Sequence, residues 1–492
     1  MTTRSVFAFQ IPLITVAGLV AAGVSCTREP INAPREVVIG AALNGKAATS
    51  LSVTRATPSY GDQGTTVDIH VLGSGFTSGA QATWLLHGVA DPTHVRTNST
   101  TVVSSSELIA NITIANDAQL ALWDVQVALA GGKNGVGSEM FEITAAQIIA
   151  SPTSGGGDVL SYGINQNGQI VGKGRSQSGI VAFIYDDATG YTNMGTGEAW
   201  AIDATGGIAM GRDGNLLTTV WIRQTPTTWT AQHLPTLPAN MRGLAAASAY
   251  APDGTLLVGG ADDSASGTRS SQVIYTRPVV WRYSGGVWSA PQRYSLPAGA
   301  VKGTIRAINT QGQAAGRVND GAGGAIWDSP TTAIRLAGPV NGMNAAATLV
   351  VGELATTGFD KDANKTLPVV WWRNPSTGTW GTTAIALPSL AGSACPLGKI
   401  NAVNSSGVVV GTSCNAAGEF QATAWRLDLT GATPVLVAGP LGLPGLGPVS
   451  TGTGLPLSAA TAITDAAPYV VAGWGLQNGT VQVAVRWRLV IP

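Results

Sequence analysis

The chain has 492 residues, of which 11% are charged, with 27 basic against 27 acidic side chains and a formal net charge of zero. No run or stripe of Lys and Arg occurs, which argues against a nucleic-acid partner, since phosphate binding needs clustered cations. Low charge combined with many Val, Ile and Trp residues argues against disorder, and 64 glycines fit a β protein with many tight turns.

Residues 1–26 read as an export signal: Arg4 supplies the positive end, residues 6–24 are mainly apolar, and small residues precede Cys26. The run Gly23-Val24-Ser25-Cys26 resembles a bacterial lipoprotein box, with Gly23 where that family has a Leu-like residue. The resemblance implies lipidation of Cys26 and a stable acyl anchor. Ordinary secretory cleavage near Ser25 and a retained N-terminal anchor are the alternatives. Residues 27–50, with Pro30 and Pro34, read as a flexible tether. No other stretch reaches 18 apolar residues, so the only membrane contact expected is through the N-terminus.

Residues 51–145 carry about seven short strand patterns. Val67-Asp68-Ile69-His70-Val71 alternates, and Gly73-Ser74-Gly75-Phe76 makes a turn with an aromatic anchor. Further strands are expected at 81–85, 101–103, 107–114, 123–129 and 140–143. This spacing suggests an immunoglobulin-like sandwich. Pro58, Gly61, the turn at 73–76, Ser104-Ser105 with Leu108, and Asp124-Val125-Gln126-Val127 resemble the IPT/TIG family of such domains. That resemblance implies a spacer or protein-contact module with no internal disulfide.

From residue 146 to 492 an internal repeat takes over. Each unit has a short apolar strand, an Asn/Asp/Gly turn and a second apolar strand ending in Gly. Copies begin at Ile164-Asn165, Ile202-Asp203, Tyr250, Ile308-Asn309, Met343-Asn344, Val403-Asn404 and Ile463-Thr464-Asp465. A third strand in each unit ends on an aromatic: Tyr185, Trp221, Trp281, Trp327, Trp371, Trp425 and Trp487. A fourth often follows, marked by Leu234-Pro235, Leu296-Pro297, Leu336, Leu387-Pro388 or Leu436. Asn and Gly serve the turn because both tolerate left-handed backbone. The aromatic is expected to pack between neighbouring sheets. Seven such units predict a seven-bladed β-propeller. The aromatics are 36 to 62 residues apart, too irregular for a solenoid. The last unit lacks a fourth strand, and residues 145–150 are expected to supply it. The repeat resembles the HAF family of extracellular repeats, most closely at Ile164 to Gly172 with Ala182-Phe183-Ile184-Tyr185. That family brings no catalytic residues. The third unit, with Gly259-Gly260, Tyr283 and Trp288, is somewhat similar to a kelch blade.

Two further cysteines, Cys395 and Cys414, flank a hairpin with its turn at 404–407, so they either form a disulfide or remain two unpaired thiols. Asp360, Asp362 and Asn364 alternate as oxygen ligands do at the start of a calcium loop, without the Gly and distal Glu of a complete one; a solvated insertion is the alternative. Asp262-Asp263 is a weaker case. His87 and His94 are either a metal pair or two exposed loop histidines. No other cofactor is expected.

The reading is therefore an all-β chain, an Ig-like sandwich followed by a seven-bladed propeller. It describes an exported, monomeric, non-enzymatic binding or scaffold protein, either a surface lipoprotein of the cell envelope or outer membrane or a secreted one. The expected partner is an extracellular protein or glycan, met at the insertions 260–277, 353–367 and 439–457. The alternative is a propeller-type carbohydrate-active enzyme, which would need two carboxylates facing the central channel.

Overall fold

The computed structural model describes residues 50–492, except 116–117, 120, 145, 151–157, 177–178, 236–242, 264–275, 357–365, 447–456, 468, 478, 490 and 492. The signal with Cys26, the tether and the Asp360, Asp362, Asn364 loop thus lie outside the described residues. What is described is all-β, apart from two single-turn 3-10 helices, Asn319–Gly321 and Gly392–Ala394.

Between Ser52 and Thr144 two sheets face each other. One orders its strands Ser52–Thr57, Thr66–Ser74, Glu107–Ile114 and Val95–Ser104. The other orders Tyr60–Asp62, Asn134–Thr144, Leu122–Ala128, Gln81–Leu86 and Val89–Ala90. The sequence alternation becomes strict alternation of burial in Glu107–Ile114, where every second side chain points inward. Both sheets bury one core around Ile69, Trp84, Leu108, Trp123 and Phe141. Trp84 meets Phe141 edge-on, with centroids 5.8 Å apart.

The repeat region forms seven further sheets, each led by one strand: Leu160–Ile164, Glu198–Ile202, Gly243–Tyr250, Gly303–Ile308, Val340–Met343, Gly398–Val403 and Ser458–Ile463. In each sheet the second and third strands follow as antiparallel neighbours. The fourth position of the third sheet is shared by Val287–Trp288 and Gln292–Arg293. The fourth strand of the seventh sheet is Gln147–Ala150, which pairs antiparallel with Val481–Leu489. The two ends of the repeat region are thereby held in one sheet.

Each sheet shares a buried core with the next. Trp221 lies in the core between the first and second sheets, Trp281 in that between the second and third, and Trp327 in that between the third and fourth. Trp371, Trp425 and Trp487 do the same for the following three. The seventh sheet then packs on the first through Ile149, Ile170, Phe183, Ala472 and Ala484. In the first sheet Phe183, fully buried, carries the packing, while Tyr185 is only partly buried. The sequence of contacts closes on itself.

Hydrogen bonds reinforce the same order. The Trp281 indole donates to Pro235 O at 2.6 Å, Trp327 to Ser295 O at 2.7 Å, Trp425 to Pro388 O at 2.7 Å and Trp487 to Pro444 O at 2.9 Å. The buried anchors of the third and sixth outer strands are thus Tyr294 and Leu443, rather than Leu296 and Leu436. In the sixth sheet the outer strand Val435–Gly442 is longer, so the residue that meets the next indole comes later.

The turn residues do more than turn the chain. Asn165 Oδ1 accepts the backbone N–H groups of Asn167 and Gln169, while its Nδ2 donates to Asp203 O of the second sheet at 3.1 Å. Asn309 and Asn404 repeat this, reaching Ala345 O and Thr464 O at 3.2 and 3.1 Å. Between the seventh and first sheets the turns are linked by Ala466 N donating to Gln166 Oε1 at 3.2 Å.

Candidate functional site

The leading strand of every one of the seven sheets carries a β-bulge at the same place. In the first sheet Ser161 pairs with Gly172 and Gly163 with Val171, which leaves Tyr162 without a cross-strand partner. The same slip leaves out Trp200, Ala246, Arg306, Asn341, Asn401 and Thr461 in the sheets that follow. A bulge inserts one residue and re-aims its side chain. All seven bulged residues line a single cavity of about 430 Å³.

The glycine that ends each repeat motif exists because of this bulge. A Cβ on Gly172 would lie 2.0 Å from Leu160 O, and one on Gly316 2.0 Å from Thr304 O; Gly211, Gly352, Gly411 and Gly473 meet the equivalent carbonyl at 2.0 to 2.1 Å. In each case the carbonyl belongs to the residue two before the bulged one, which the extra residue has turned into the space of the neighbouring strand. In the third unit Gly260, not Gly259, holds this position, its Cβ falling on Leu244 O. The small residue after the bulge has its own reason: a Cβ on Gly163 would lie 2.7 Å from Trp200 O of the next sheet.

Neighbouring leading strands are tied at the cavity wall. Asn341 Nδ2 donates to Ile400 O and Asn401 Nδ2 to Ala460 O, both at 2.7 Å. Trp200 stacks on Tyr162 with centroids 4.5 Å apart and planes 15° apart, and the Arg306 guanidinium carbon lies 4.5 Å from the Trp200 centroid. Burial, with the nearby Glu198 charge as a lesser cause, pushes the Tyr162 hydroxyl well above the usual phenol range.

Cations dominate the wall. Arg306, Arg317 and Lys399 line the cavity, and among the described residues no acidic side chain does. Two carboxylates stand nearby, and each is taken up. Glu198 accepts from Arg212 Nε at 2.9 Å and Nη2 at 2.6 Å, and Glu353 lies 3.4 Å from Arg317 Nη2. Arg317 Nε also donates to Asn341 Oδ1 at 2.9 Å. Among the described residues no carboxylate lies within ion-pair distance of Arg306 or Lys399. Arg306 keeps part of its surface open to the cavity, yet it sits so deep that desolvation, helped by the charges of Arg317 and Arg212, pulls its pKa down to about 9. Burial likewise lowers Lys399.

The sequence signal that locates this wall is plain once the repeat is realigned one step earlier. The motif reads x-Gly/Ala-apolar-Asn, as in Tyr162-Gly-Ile-Asn, Trp200-Ala-Ile-Asp, Arg306-Ala-Ile-Asn, Asn341-Gly-Met-Asn and Asn401-Ala-Val-Asn. The frame holds in these five units, with Asp203 in place of Asn in the second, while x varies; the third and seventh units, Ala246-Ala-Ser-Ala and Thr461-Ala-Ile-Thr, depart from it. A repeat taken to start at Ile-Asn leaves x out.

Of the residues singled out from sequence, Cys395 and Cys414 are joined by a disulfide, with Cα atoms 5.9 Å apart. It fastens the segment before the sixth leading strand to the end of the second strand, Val408–Cys414. His94 pairs with Asp91 at 2.6 Å, His70 with Glu107 at 2.7 Å and His233 with Asp213 at 3.1 Å; His87 occupies a turn with φ 51°. Among the described residues no group of three or more His, Cys, Asp or Glu side chains is placed to hold a metal ion. A second cavity, of about 580 Å³, lies at the seam where residues 55–60 of the first domain meet residues 438–441 and Ile491; its wall is mainly apolar.

No family model matches the chain, and no curated protein does. Solved structures match at low similarity. A structural genomics protein of unknown function from Bacteroides thetaiotaomicron is 11% identical, with 89% of this chain and 97% of that one covered and a TM-score of 0.36. The structure titled U3-55K is 11% identical over 71% of this chain and 98% of its own, with a TM-score of 0.41. A DUF4784 family protein from Bacteroides caccae is 9% identical over 79% and 96%, with a TM-score of 0.25.

Proposed function

We propose that residues 146–492 form a seven-bladed β-propeller, that residues 51–145 form an Ig-like domain of the IPT/TIG kind, and that the whole is a non-enzymatic binding protein. Seven sheets whose packing order returns to its start support the propeller. The single observation that carries the binding function is the convergence of seven bulged side chains, one per sheet, on one cavity. Folding alone requires the frame around each bulge, whereas the side chain it presents takes six identities in seven sheets, Asn341 and Asn401 being the one repeated pair. Variation confined to one inward-facing position is how a rigid scaffold acquires a specific pocket.

The enzymatic alternative needs two carboxylates free to act as acid and base or nucleophile. Glu198 and Glu353 are instead engaged by Arg212 and Arg317, which favours binding over glycoside hydrolysis. The export signal, the lipid anchor at Cys26 and exposure at the cell surface complete the proposal; acyl labelling that disappears in Cys26→Ser tests the anchor. The partner is an extracellular protein or glycan. Screening the chain from residue 50 onward against glycan and peptide arrays tests the function: binding to one class is expected, and binding to neither contradicts it.

A further inference from the structure

Three buried donors at the cavity have no hydrogen-bond partner: Arg306 Nε, Trp200 Nε1 and the Thr412 hydroxyl, whose residue is 1% exposed. The residues that carry them line the same space, although the three donor atoms themselves are closed off from it. A buried donor left unmade costs about 1–3 kcal/mol, and an unpaired buried cation costs more. What the cavity exposes is cationic: Arg306, Arg317 and Lys399 line it and no acidic side chain among the described residues does, which suits an acceptor-rich, negatively charged molecule. Arg306 comes from the fourth sheet and Lys399 from the sixth, so two cations without a carboxylate partner approach the cavity from different directions.

The rest of the wall limits what carries the charge. Trp474 offers aromatic surface, while Trp200 is taken up between Tyr162 and Arg306; Asn401 Oδ1 and the Thr461 hydroxyl oxygen offer acceptors. A ring with apolar C–H faces and several hydroxyls satisfies both. At about 430 Å³ the cavity has the size of a small-ligand pocket. We propose that this cavity binds an acidic sugar, its carboxylate held between Arg306 and Lys399 and its ring against the Trp474 side of the wall. The inference rests on the binding-protein reading above and names the ligand class for it.

The test is calorimetric titration of the full chain with a hexuronate, an oligohexuronate, the corresponding neutral hexose and a hexose phosphate. The hexuronate is expected to bind at least tenfold more tightly than the neutral hexose. Arg306→Met and Lys399→Met are each expected to lose at least tenfold of that affinity while the far-ultraviolet spectrum is unchanged. Tighter binding of the oligomer assigns the ligand to a glycan, and equal binding assigns it to a free sugar acid. Equal affinity for hexose and hexuronate, preference for the phosphate, affinity unmoved by both substitutions, or no binding of any acidic sugar overturns the inference. In those cases a positive array leaves the binding function standing; only a blank array removes that as well.

Discussion

Arg306 holds a guanidinium deep in protein with the Trp200 ring as its nearest compensation. Its folded pKa of about 9 lies well below the ordinary arginine value. Between those values the unfolded chain binds more protons, so this group makes stability rise with pH there. Below pH 9 both states are charged, and the folded state bears the whole burial cost. Arg306→Met is therefore expected to raise the melting temperature of the ligand-free chain at pH 7 by about 2 °C. That advantage should shrink as the pH passes 9, as read by melts of both proteins across the range. A lower melting temperature at pH 7 would mean that the contact with Trp200 outweighs desolvation. None of this was legible in the sequence. Arg306 looks like any arginine in a strand until the bulge is known, and a bulge has no residue signature of its own. What the sequence does contain is the variable x of x-Gly/Ala-apolar-Asn, and the glycine opposite it.

That glycine carries the argument at the level of the strand pair. Read from the sequence, the terminal Gly of each unit marks a strand end; in the structure it admits the carbonyl that the bulge displaces. Gly312 and Gly316 separate the two roles within one hairpin. Gly312 sits in the turn at φ 78°, and the nearest atom to an added Cβ is 3.5 Å away. Gly312→Ala should cost only the left-handed strain, about 1 kcal/mol. Gly316→Ala would place a methyl on Thr304 O and should cost about 3 kcal/mol, because backbone must move. It should also weaken ligand binding, since the bulge that aims Arg306 is what shifts. Urea unfolding of both variants checks the order; equal costs would detach the glycine from the bulge. The turns themselves were readable, since Asn and Gly at those spacings have few other uses. Their bonds to the next sheet were not, because nothing local specifies a neighbour 36 to 60 residues away.

Across the whole molecule, the all-β character and the seven units were visible because period-2 alternation, turn residues and one aromatic per unit recur down the chain. The role of Gln147–Ala150 was accessible by counting, as the last unit ends one strand short. The location of the cavity was not. Insertions drew attention because they break the repeat, while the cavity is built from the repeat itself. At the junction of the seventh and first sheets Ile149 is 6% exposed and Arg486 pairs with Asp187 at 2.7 Å. Ile149→Asp puts a charge into that one core and should lower the unfolding free energy by about 3 kcal/mol. Unfolding should remain a single transition at the first-to-seventh interface if the ring is closed. A cost near zero would place that strand outside the ring.

The proposed binding requires that ligand be recognised at the cavity wall and not at the insertions. Hexuronate affinity measured on three proteins decides it: the wild-type chain, one with residues 264–275 and 357–365 replaced by short Gly-Ser linkers, and Arg306→Met. The account predicts that the linker variant binds within about twofold of wild type and that Arg306→Met loses at least tenfold. Loss of binding in the linker variant with full binding in Arg306→Met would contradict it.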